Sequence, residues 1–456
     1  MFTEEFLNSI IKAYDIRGLV GTQVTPEFAR AVGSAFARFL IEENEPHHIV
    51  IGEDMRPSSS ELAQAFSDGA IAHGVNVTRI GLASTDMLYF ASGRLNLPGV
   101  MFTASHNPAA YNGMKLCKSE ARPIGKESGL LRIKELINIP SANEQTTVGK
   151  QERVELLESY VEFLLSLFPE TSPTSGRQLK VVIDAGNGMG GYTAPAVMAK
   201  LNVELIPMYF ELDGNFPNHE ANPIEAKNLV DLQAKVRETG ADIGLALDGD
   251  ADRCFLVDEK GELVNPSALT ALIAVRELAR KPGSTIIYNL ISSRAVPEIV
   301  AEHGGTSLRS RVGHSYIKAM MAQSGAIFGG EHSGHFYFAD FWKADSGMLA
   351  ALFALTELAA HQLPLSEMLA PFNRYVASGE INTEVNDVPA AIGRVLTHFT
   401  PTHAVDELDG ITLTGPTHWF NVRPSNTEPL LRLNVEAASQ GEMEQVRDEV
   451  LALIKG

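Results

Sequence analysis

The feature that most constrains the fold of this chain is a rhythm: short apolar runs alternate with longer amphipathic stretches along most of its length. HHIVIG (47–52) is followed by the helical pattern SSELAQAFSDGAIAHG, then by VNVTRIG and another mixed segment. LKVVIDAGNG (179–188), NVELIPMYF (202–210), ADIGLALDGDADR (241–253) and STIIYNL (284–290) read as buried strands, each separated from the next by enough chain for a helix. This order predicts α/β layers with largely parallel strands. From about Pro371 the pattern changes. GEINTEV, GITLTG, HWFNVRP and LLRLNVEA are strand-like, and GEMEQVRDEVLALIKG follows as a helix, which makes a small α+β unit.

At ~150 residues per domain, a chain of 456 residues holds about three domains. The polar stretch NIPSANEQTTVGK (138–150), ahead of the helical VELLESYVEFLLSLF, marks one boundary, and another follows the strand CFLVD (254–258). FPETSPTSGRQ (168–178) lies between that helix and a strand and reads as a loop inside the second domain. The net charge of −19 argues against a nucleic-acid-binding surface. It leaves room for an anionic substrate, because a local basic pocket or a bound cation reverses the field inside one site. The two cysteines, Cys117 and Cys254, suit a reducing cytosol. The N-terminus has no basic region ahead of an apolar core, and no apolar run approaches the roughly 20 residues of a membrane span. The expectation is a soluble cytoplasmic protein with no membrane and no nucleic-acid partner.

Four segments carry candidate chemistry. In TASHNPAAYNGMKL (103–116), Ser105 is a candidate nucleophile beside His106. Asn107-Pro108 forces a turn, and Tyr111-Asn112-Gly113 is expected to make a second. The preceding GVMF places Ser105 at a strand's C-terminal end, where ligands bind in α/β sheets, and Lys115 returns a cation nearby. Taken alone the segment is as readily a polar connecting loop. In LALDGDADRCFLVD (245–258), Asp248, Asp250 and Asp252 follow an apolar strand. Carboxylates this close repel one another, and a small hard cation, Mg²⁺ by default, is the usual compensation. An EF-hand is excluded by Arg253 at the position that needs glycine, leaving a solvated acidic turn as the alternative.

In RVGHSYIKAMMAQSGAIFGGEHSGHFYF (311–338), Glu331, Ser333, His332 and His335 share a glycine-flanked loop. The order EHSGH, with a glycine inside, does not suit zinc, and hydrogen bonding to a polyhydroxylated ligand fits better. His314, in the VGHS turn, is a further polar candidate, though a lone turn histidine is more often structural. In NVRPSNTEPLLRLNVEA (421–437), Arg423, Ser425, Asn426 and Thr427 form either an anion cradle or a plain hairpin connection. AYDIRG (13–18) contributes Tyr14 and Arg17 before an expected glycine turn and says nothing alone. DAGNGMGG (184–191) lacks the G-x-G-x-x-G order of a dinucleotide fingerprint.

Together, TASHNP, DGDADR, GEHSGH and RPSNTEP closely resemble the α-D-phosphohexomutase family, of the bacterial phosphomannomutase/phosphoglucomutase type, over essentially the whole chain. The resemblance implies four domains around one central cleft, at 1–150, 151–256, 257–370 and 371–456. The first three would be related mixed-sheet α/β units and the last α+β. It implies interconversion of hexose 1-phosphate and hexose 6-phosphate (mannose, and glucose with it) through a phosphorylated Ser105 and a hexose 1,6-bisphosphate. Mg²⁺ would be held by that phosphate with Asp248, Asp250 and Asp252. Arg17 and Lys115 would add positive charge, and Lys115, His106 and His335 are the candidates for moving the sugar hydroxyl's proton. Arg253 would orient the metal loop, and Glu331 and Ser333 would hold sugar hydroxyls. Arg423, Ser425, Asn426 and Thr427 would hold the idle phosphate, with Tyr14 and His314 also in the substrate-binding set. The only partners implied are small hexose phosphates, for a monomer or homodimer.

One departure stands out: many relatives carry a lysine in the third domain's strand-end turn, where this chain has NLISSRA (289–295) and Arg294 as the nearest cation. Phosphoglucosamine mutase is the nearest rival, but its relatives usually show GEQSGH and RPSGTEP, against His332 and Asn426 here. Phosphopentomutase is disfavoured on the same loops. A phosphatase with an aspartate nucleophile leaves the serine and arginine loops unexplained, and a non-catalytic sugar-phosphate-binding protein needs no pairing of Ser105 with three aspartates.

Overall fold

The apolar runs of the first 120 residues become neighbours in one sheet. In order, its strands are Ile16–Leu19, Tyr111–Lys118, Gly99–Phe102, His48–Glu53, Asn76–Leu82 and Gln151–Arg153, with Arg122–Pro123 paired on Tyr111–Lys118. His48–Glu53 lies parallel to both Gly99–Phe102 and Asn76–Leu82, as expected for strands linked by helices. The central strands His48–Glu53, Gly99–Phe102 and Asn76–Leu82 are buried along most of their length because helices cover the sheet, among them Pro26–Glu42, Ser59–Ile71 and Thr85–Leu95, whereas the edge strand Gln151–Arg153 is polar and exposed. Pro26–Glu42 is started by Thr25, whose side chain accepts from Phe28 N–H, with proline at the first helical position.

Two sequence expectations fail here for one reason. Gly18 and Tyr111-Asn112-Gly113 are not turns. They lie in two antiparallel strands, Ile16–Leu19 and Tyr111–Lys118, which pair Arg17 with Gly113. A Cβ on Gly113 would lie 2.2 Å from the Ile16 carbonyl oxygen, so glycine is there for close strand approach. That pairing brings Arg17 to the Ser105 loop.

The structure, a computed structural model, describes residues 2–139, 148–168, 176–424 and 430–456. Much of the polar stretch 138–150 and of the loop 168–178 therefore lies outside the described residues. The chain divides into two compact units, residues 1–264 with 333–368, and residues 265–332 with 369–456. In the first unit a second sheet orders Cys254–Asp258, Ile243–Leu247, Leu179–Asp184 and Val203–Met208, parallel except for its Ile243–Leu247/Cys254–Asp258 hairpin. The DGDADR segment is the connection of that hairpin. Phe336–Phe338 and Ala344–Asp345 form a short antiparallel pair in the same unit.

In the second unit, Thr285–Asn289 pairs in parallel with Thr306–Ser310 and Phe328–Gly330. The C-terminal domain is an antiparallel sheet ordered Val376–Glu384, Leu430–Ala437, His418–Pro424, Ile411–Thr414 and Ala404–Asp406. Alternate residues Leu431, Leu433 and Val435 face a core shared with Ala391, Val395 and Phe399 of helix Val388–Phe399. Met443, Val446, Val450 and Ile454 of helix Gln440–Lys455 join that core at helical spacing. No single helix among the described residues is long and apolar enough to cross a membrane.

Candidate active site

Beyond the strand Gly99–Phe102 the chain turns sharply at Ser105, a non-glycine residue with φ of 48°. Such a conformation costs of order 1–3 kcal/mol and persists only where its surroundings hold it. Arg56 is the holder. Its guanidinium donates to the carbonyl oxygens of Ser105, Asn107, Pro108 and Tyr111 at 2.6–2.9 Å. Its Nε pairs with Asp54 at 3.2 Å, and both side chains are buried. Ser105 N–H donates to Thr103 Oγ1, and its hydroxyl donates to Asp248 Oδ2 at 2.8 Å, with His106 Nδ1 at 3.2 Å.

Arg56 escaped the sequence reading. Its signal is position: DMRPSSS follows the strand of HHIVIG as TASHNP follows GVMF, so both loops leave strand ends. Replacing Arg56 with methionine strips four carbonyls of their donor and leaves Asp54 buried and unpaired. The expected loss of stability is about 3–5 kcal/mol by denaturant titration. An unchanged unfolding midpoint would refute this role.

The three aspartates converge on Ser105. Asp248, Asp250 and Asp252 are buried, with carboxylate oxygens within 4.8 Å of one another. Gly249 permits the contact, since a Cβ there would lie 2.4 Å from the Ser105 carbonyl oxygen. Lys115 Nζ donates to Asp250 Oδ2 and Asp252 Oδ2, each at 2.6 Å. Thr85, at the start of helix Thr85–Leu95, donates its hydroxyl to Asp250 Oδ2 and its N–H to the Asp250 carbonyl. Arg253 N–H donates to Asp248 Oδ1, and its Nε lies 3.5 Å from Asp248 Oδ2.

Burial, then repulsion from Asp252 and Asp250, pushes the Asp248 carboxyl up to about 8. At Asp250 burial acts the same way, but the Lys115 ammonium outweighs it and holds the group below its usual range. Oδ1 of Asp250 and Oδ1 of Asp252 are buried without a hydrogen-bond partner. Clustered carboxylates with two orphaned oxygens are the donor set of a small hard cation, and Mg²⁺ fits them.

Two further groups join this site. Gly334 accepts from Cys254 N–H through its carbonyl, and Arg253 and His335 form an antiparallel bridge, which ties Gly334 and His335 to the metal-loop hairpin. His335 Nδ1 lies 2.9 Å from Asp345 Oδ2 and 3.8 Å from Asp252 Oδ1. Burial would lower the imidazole's pKa, but Asp252 and Asp345 outweigh that and hold it above its ordinary value. His106 is the opposite case: burial, then the charges of Arg253 and Arg17, push it well down. Arg17 donates to Asn107 Oδ1 and to Asp15 Oδ2, both at 2.5 Å. Tyr14, beside this pair in sequence, is half-buried. Asp15, Thr85 and Asp345 were not singled out from sequence: Asp15 lies inside AYDIRG, which says nothing alone, and no motif marks Thr85 or Asp345.

Glu331 is buried and accepts from Gly313 N–H at 3.2 Å; His314 is the first residue of helix His314–Ser324. Ser333 is half-buried. Arg423 pairs with Glu380 at 2.8 Å, and Arg432 reaches the other Glu380 oxygen at 3.3 Å. Ser425, Asn426 and Thr427 lie outside the described residues. Arg294 stacks 4.1 Å over the Tyr375 ring and donates to the Thr417 carbonyl, so its guanidinium is engaged within its own unit.

The chain matches four family models in order. They are phosphoglucomutase/phosphomannomutase alpha/beta/alpha domain I at residues 8–143, domain II at 158–261, domain III at 265–375, and the C-terminal domain at 380–453. A phosphomannomutase of Escherichia coli K12 is 39% identical over 451 residues, covering 96% of this chain and 97% of that protein. A phosphomannomutase/phosphoglucomutase of Pseudomonas putida is 36% identical, covering 97% and 94%. The crystal structure of a phosphoglucomutase/phosphomannomutase family protein from Burkholderia thailandensis superposes with a TM-score of 0.89 at 32% identity, covering 100% and 98%.

Proposed function

The chain belongs to the phosphoglucomutase/phosphomannomutase family and is a phosphohexomutase, and from that premise we propose that it works through a phosphorylated Ser105. The observation that supports this most is the buried Ser105 hydroxyl set 2.8 Å from the first of three converging aspartates. A serine hydroxyl is a poor nucleophile but a stable carrier of a phosphoryl group. Phosphoserine 105 donates its group to O6 of a bound hexose 1-phosphate. The resulting 1,6-bisphosphate turns end over end, and its other phosphoryl group returns to Ser105. Mg²⁺, held by Asp248, Asp250, Asp252 and the serine phosphate, would neutralise charge on the transferring group.

Arg17 and Lys115 add fixed positive charge at the same place. His335 accepts the attacking hydroxyl's proton, with Asp345 at its other nitrogen to hold the ring; His106 and Lys115 are the remaining proton carriers. Arg253 steadies the metal loop through Asp248. Glu331 and Ser333 read sugar hydroxyls, with His314 and Tyr14 against the substrate, and the Arg423 segment with Ser425, Asn426 and Thr427 binds the phosphate that is not reacting.

Specificity tests the reading. If Glu331 and Ser333 hold the 3- and 4-hydroxyls, they hold groups equatorial in both mannose and glucose, and these roughly exchange places when the bisphosphate turns. The 2-hydroxyl, which alone distinguishes the epimers, then has no fixed partner. Mannose 1-phosphate and glucose 1-phosphate should be used within about tenfold in kcat/KM, a difference of ~1.4 kcal/mol. Glu331→Ala should depress both together. Phosphorus NMR of the purified protein with Mg²⁺ and mannose, glucose or glucosamine phosphates gives the rates. A thousandfold preference, or loss of one activity alone, would sink the assignment.

A further inference from the structure

One fully buried carboxylate near the site takes no direct part in the phosphoryl chemistry. Asp86 lies in the first turn of helix Thr85–Leu95, shielded from solvent. Its partners are hydroxyls: Ser84 donates to Oδ1, and Tyr160 and Ser346 donate to Oδ2 at 2.7 and 2.6 Å. Tyr160 belongs to helix Leu157–Ser166, and Ser346 stands at the start of helix Gly347–Ala360, 260 residues further along the chain. Burial pushes the Asp86 carboxyl up to about 6, against the pull of Ser346, Ser84 and Tyr160. Above that pH the group is ionised and can only accept, so all three hydroxyls point their protons at it. Burying such a group costs free energy that an apolar side chain would not.

What the carboxylate joins accounts for that cost. Ser84 and Ser346 each start a helix: Ser84 accepts from Met87 N–H, and Ser346 from Leu349 N–H. Each also adjoins a residue of the site. Thr85 follows Ser84 and donates its hydroxyl and its N–H to Asp250, at 2.6 and 2.9 Å. Asp345 precedes Ser346 and places Oδ2 2.9 Å from His335 Nδ1. His335 is in turn bridged to Arg253, at the end of the metal loop. These links close a ring that runs from Asp250 through Thr85 and Asp86 to Ser346 and Asp345, and returns through His335 and the metal loop. Tyr160 bonds the same Asp86 oxygen from a helix outside that ring.

On the premise that Asp250 binds the metal and His335 accepts the proton, we propose that Asp86 is a positioning residue: it staples the two helix starts and so fixes the separation of Asp250 and His335. Transfer needs the attacking hydroxyl in line with the phosphoryl group and, at the same moment, within hydrogen-bond reach of its base. A misplacement of about 1 Å between the two costs on the order of 10²-fold in rate. A carboxylate sets that separation more sharply than apolar packing does, because its hydrogen bonds fix direction as well as length. The negative charge is not what is used. An amide oxygen in the place of Oδ2 accepts the same two hydroxyls, and its NH₂ can donate to Ser84 Oγ.

The test compares kcat and KM of the full-length protein and its variants in saturating Mg²⁺ and glucose 1,6-bisphosphate. Ser346→Ala and Tyr160→Phe each take one hydroxyl from the same Asp86 oxygen, but only Ser346 lies in the ring. Ser346→Ala should lower kcat about tenfold with KM kept within about twofold, whereas Tyr160→Phe should stay within about twofold in both. Asp86→Ala should lower kcat about 100-fold, and Asp86→Asn should restore it to within about fivefold of wild type. Adding Ser346→Ala to Asp86→Ala should cost nothing further, because both break the same link. Equal kcat for Ser346→Ala and Tyr160→Phe, or losses that multiply in the double variant, would overturn the proposal and leave Asp86 as packing alone. His335→Asn is measured beside them. Normal turnover there would remove the premise and the proposal with it, whereas a slow His335→Asn beside a normal Asp86→Ala would sink the proposal and spare the premise.

Discussion

Replacing Ser105 with alanine should lower turnover by about 10⁴-fold or more while the protein stays folded. The loop's shape does not depend on the Ser105 side chain: Arg56 grips four carbonyl oxygens, Ser105's own among them, and it is the Ser105 N–H that donates to Thr103 Oγ1. Alanine removes one donor from Asp248, a carboxylate at 2.8 Å that keeps its Arg253 contacts, for about 1–3 kcal/mol. What it cannot replace is the atom that carries the phosphoryl group. Turnover is measured with saturating glucose 1,6-bisphosphate, so that lack of activator does not imitate loss of the carrier, and folding is followed by circular dichroism. Near-normal turnover would rule Ser105 out as obligatory carrier.

Sequence reading reached the site through motifs whose chemistry is local. DGDADR announces itself because three carboxylates within five residues repel one another unless solvent, a cation or a positive side chain compensates them. TASHNP is legible because a strand-like run precedes it. Contacts made across long sequence separations leave no such trace. Nothing local says that Lys115 bonds Asp250 and Asp252, or that Asp345 meets His335. Glycine misled at two positions for the same reason. Gly18 and Gly113 read as turns because chain reversal is the common use of glycine, whereas here Gly113 serves close strand pairing. Central strands were easy, because burial on both faces writes an apolar run such as VVI in Leu179–Asp184, whereas Val203–Met208, equally apolar and read as buried, is a half-exposed edge strand. The C-terminal domain was equally legible, with alternation in LLRLNVEA and helical spacing in GEMEQVRDEVLALIKG meeting in one core.

Asp250→Asn should lower kcat by about 10³-fold and leave KM for hexose 1-phosphate within about threefold. The substitution is nearly isosteric, and the amide oxygen can still accept the Thr85 hydroxyl, so the loop is retained. What changes is charge. Asp250 is ionised, since Lys115 holds its carboxyl below the usual range, and the asparagine variant takes one negative charge from the cluster. A hard divalent ion loses a charged ligand, while the groups proposed to read the sugar are untouched. Two measurements separate this from the duller possibility that Asp250 merely anchors Lys115. Mg²⁺ should raise the unfolding midpoint of the wild type, and chelator should reverse that, whereas Asp250→Asn should respond to neither. Lys115→Met should also lose turnover but keep the Mg²⁺-dependent midpoint, because all three aspartates remain. If Asp250→Asn kept the wild-type response to Mg²⁺, or if wild-type activity persisted in chelator, the aspartates would be a structural ion-pair network with Lys115, and charge neutralisation of the transferring group would fall to Arg17 and Lys115 alone.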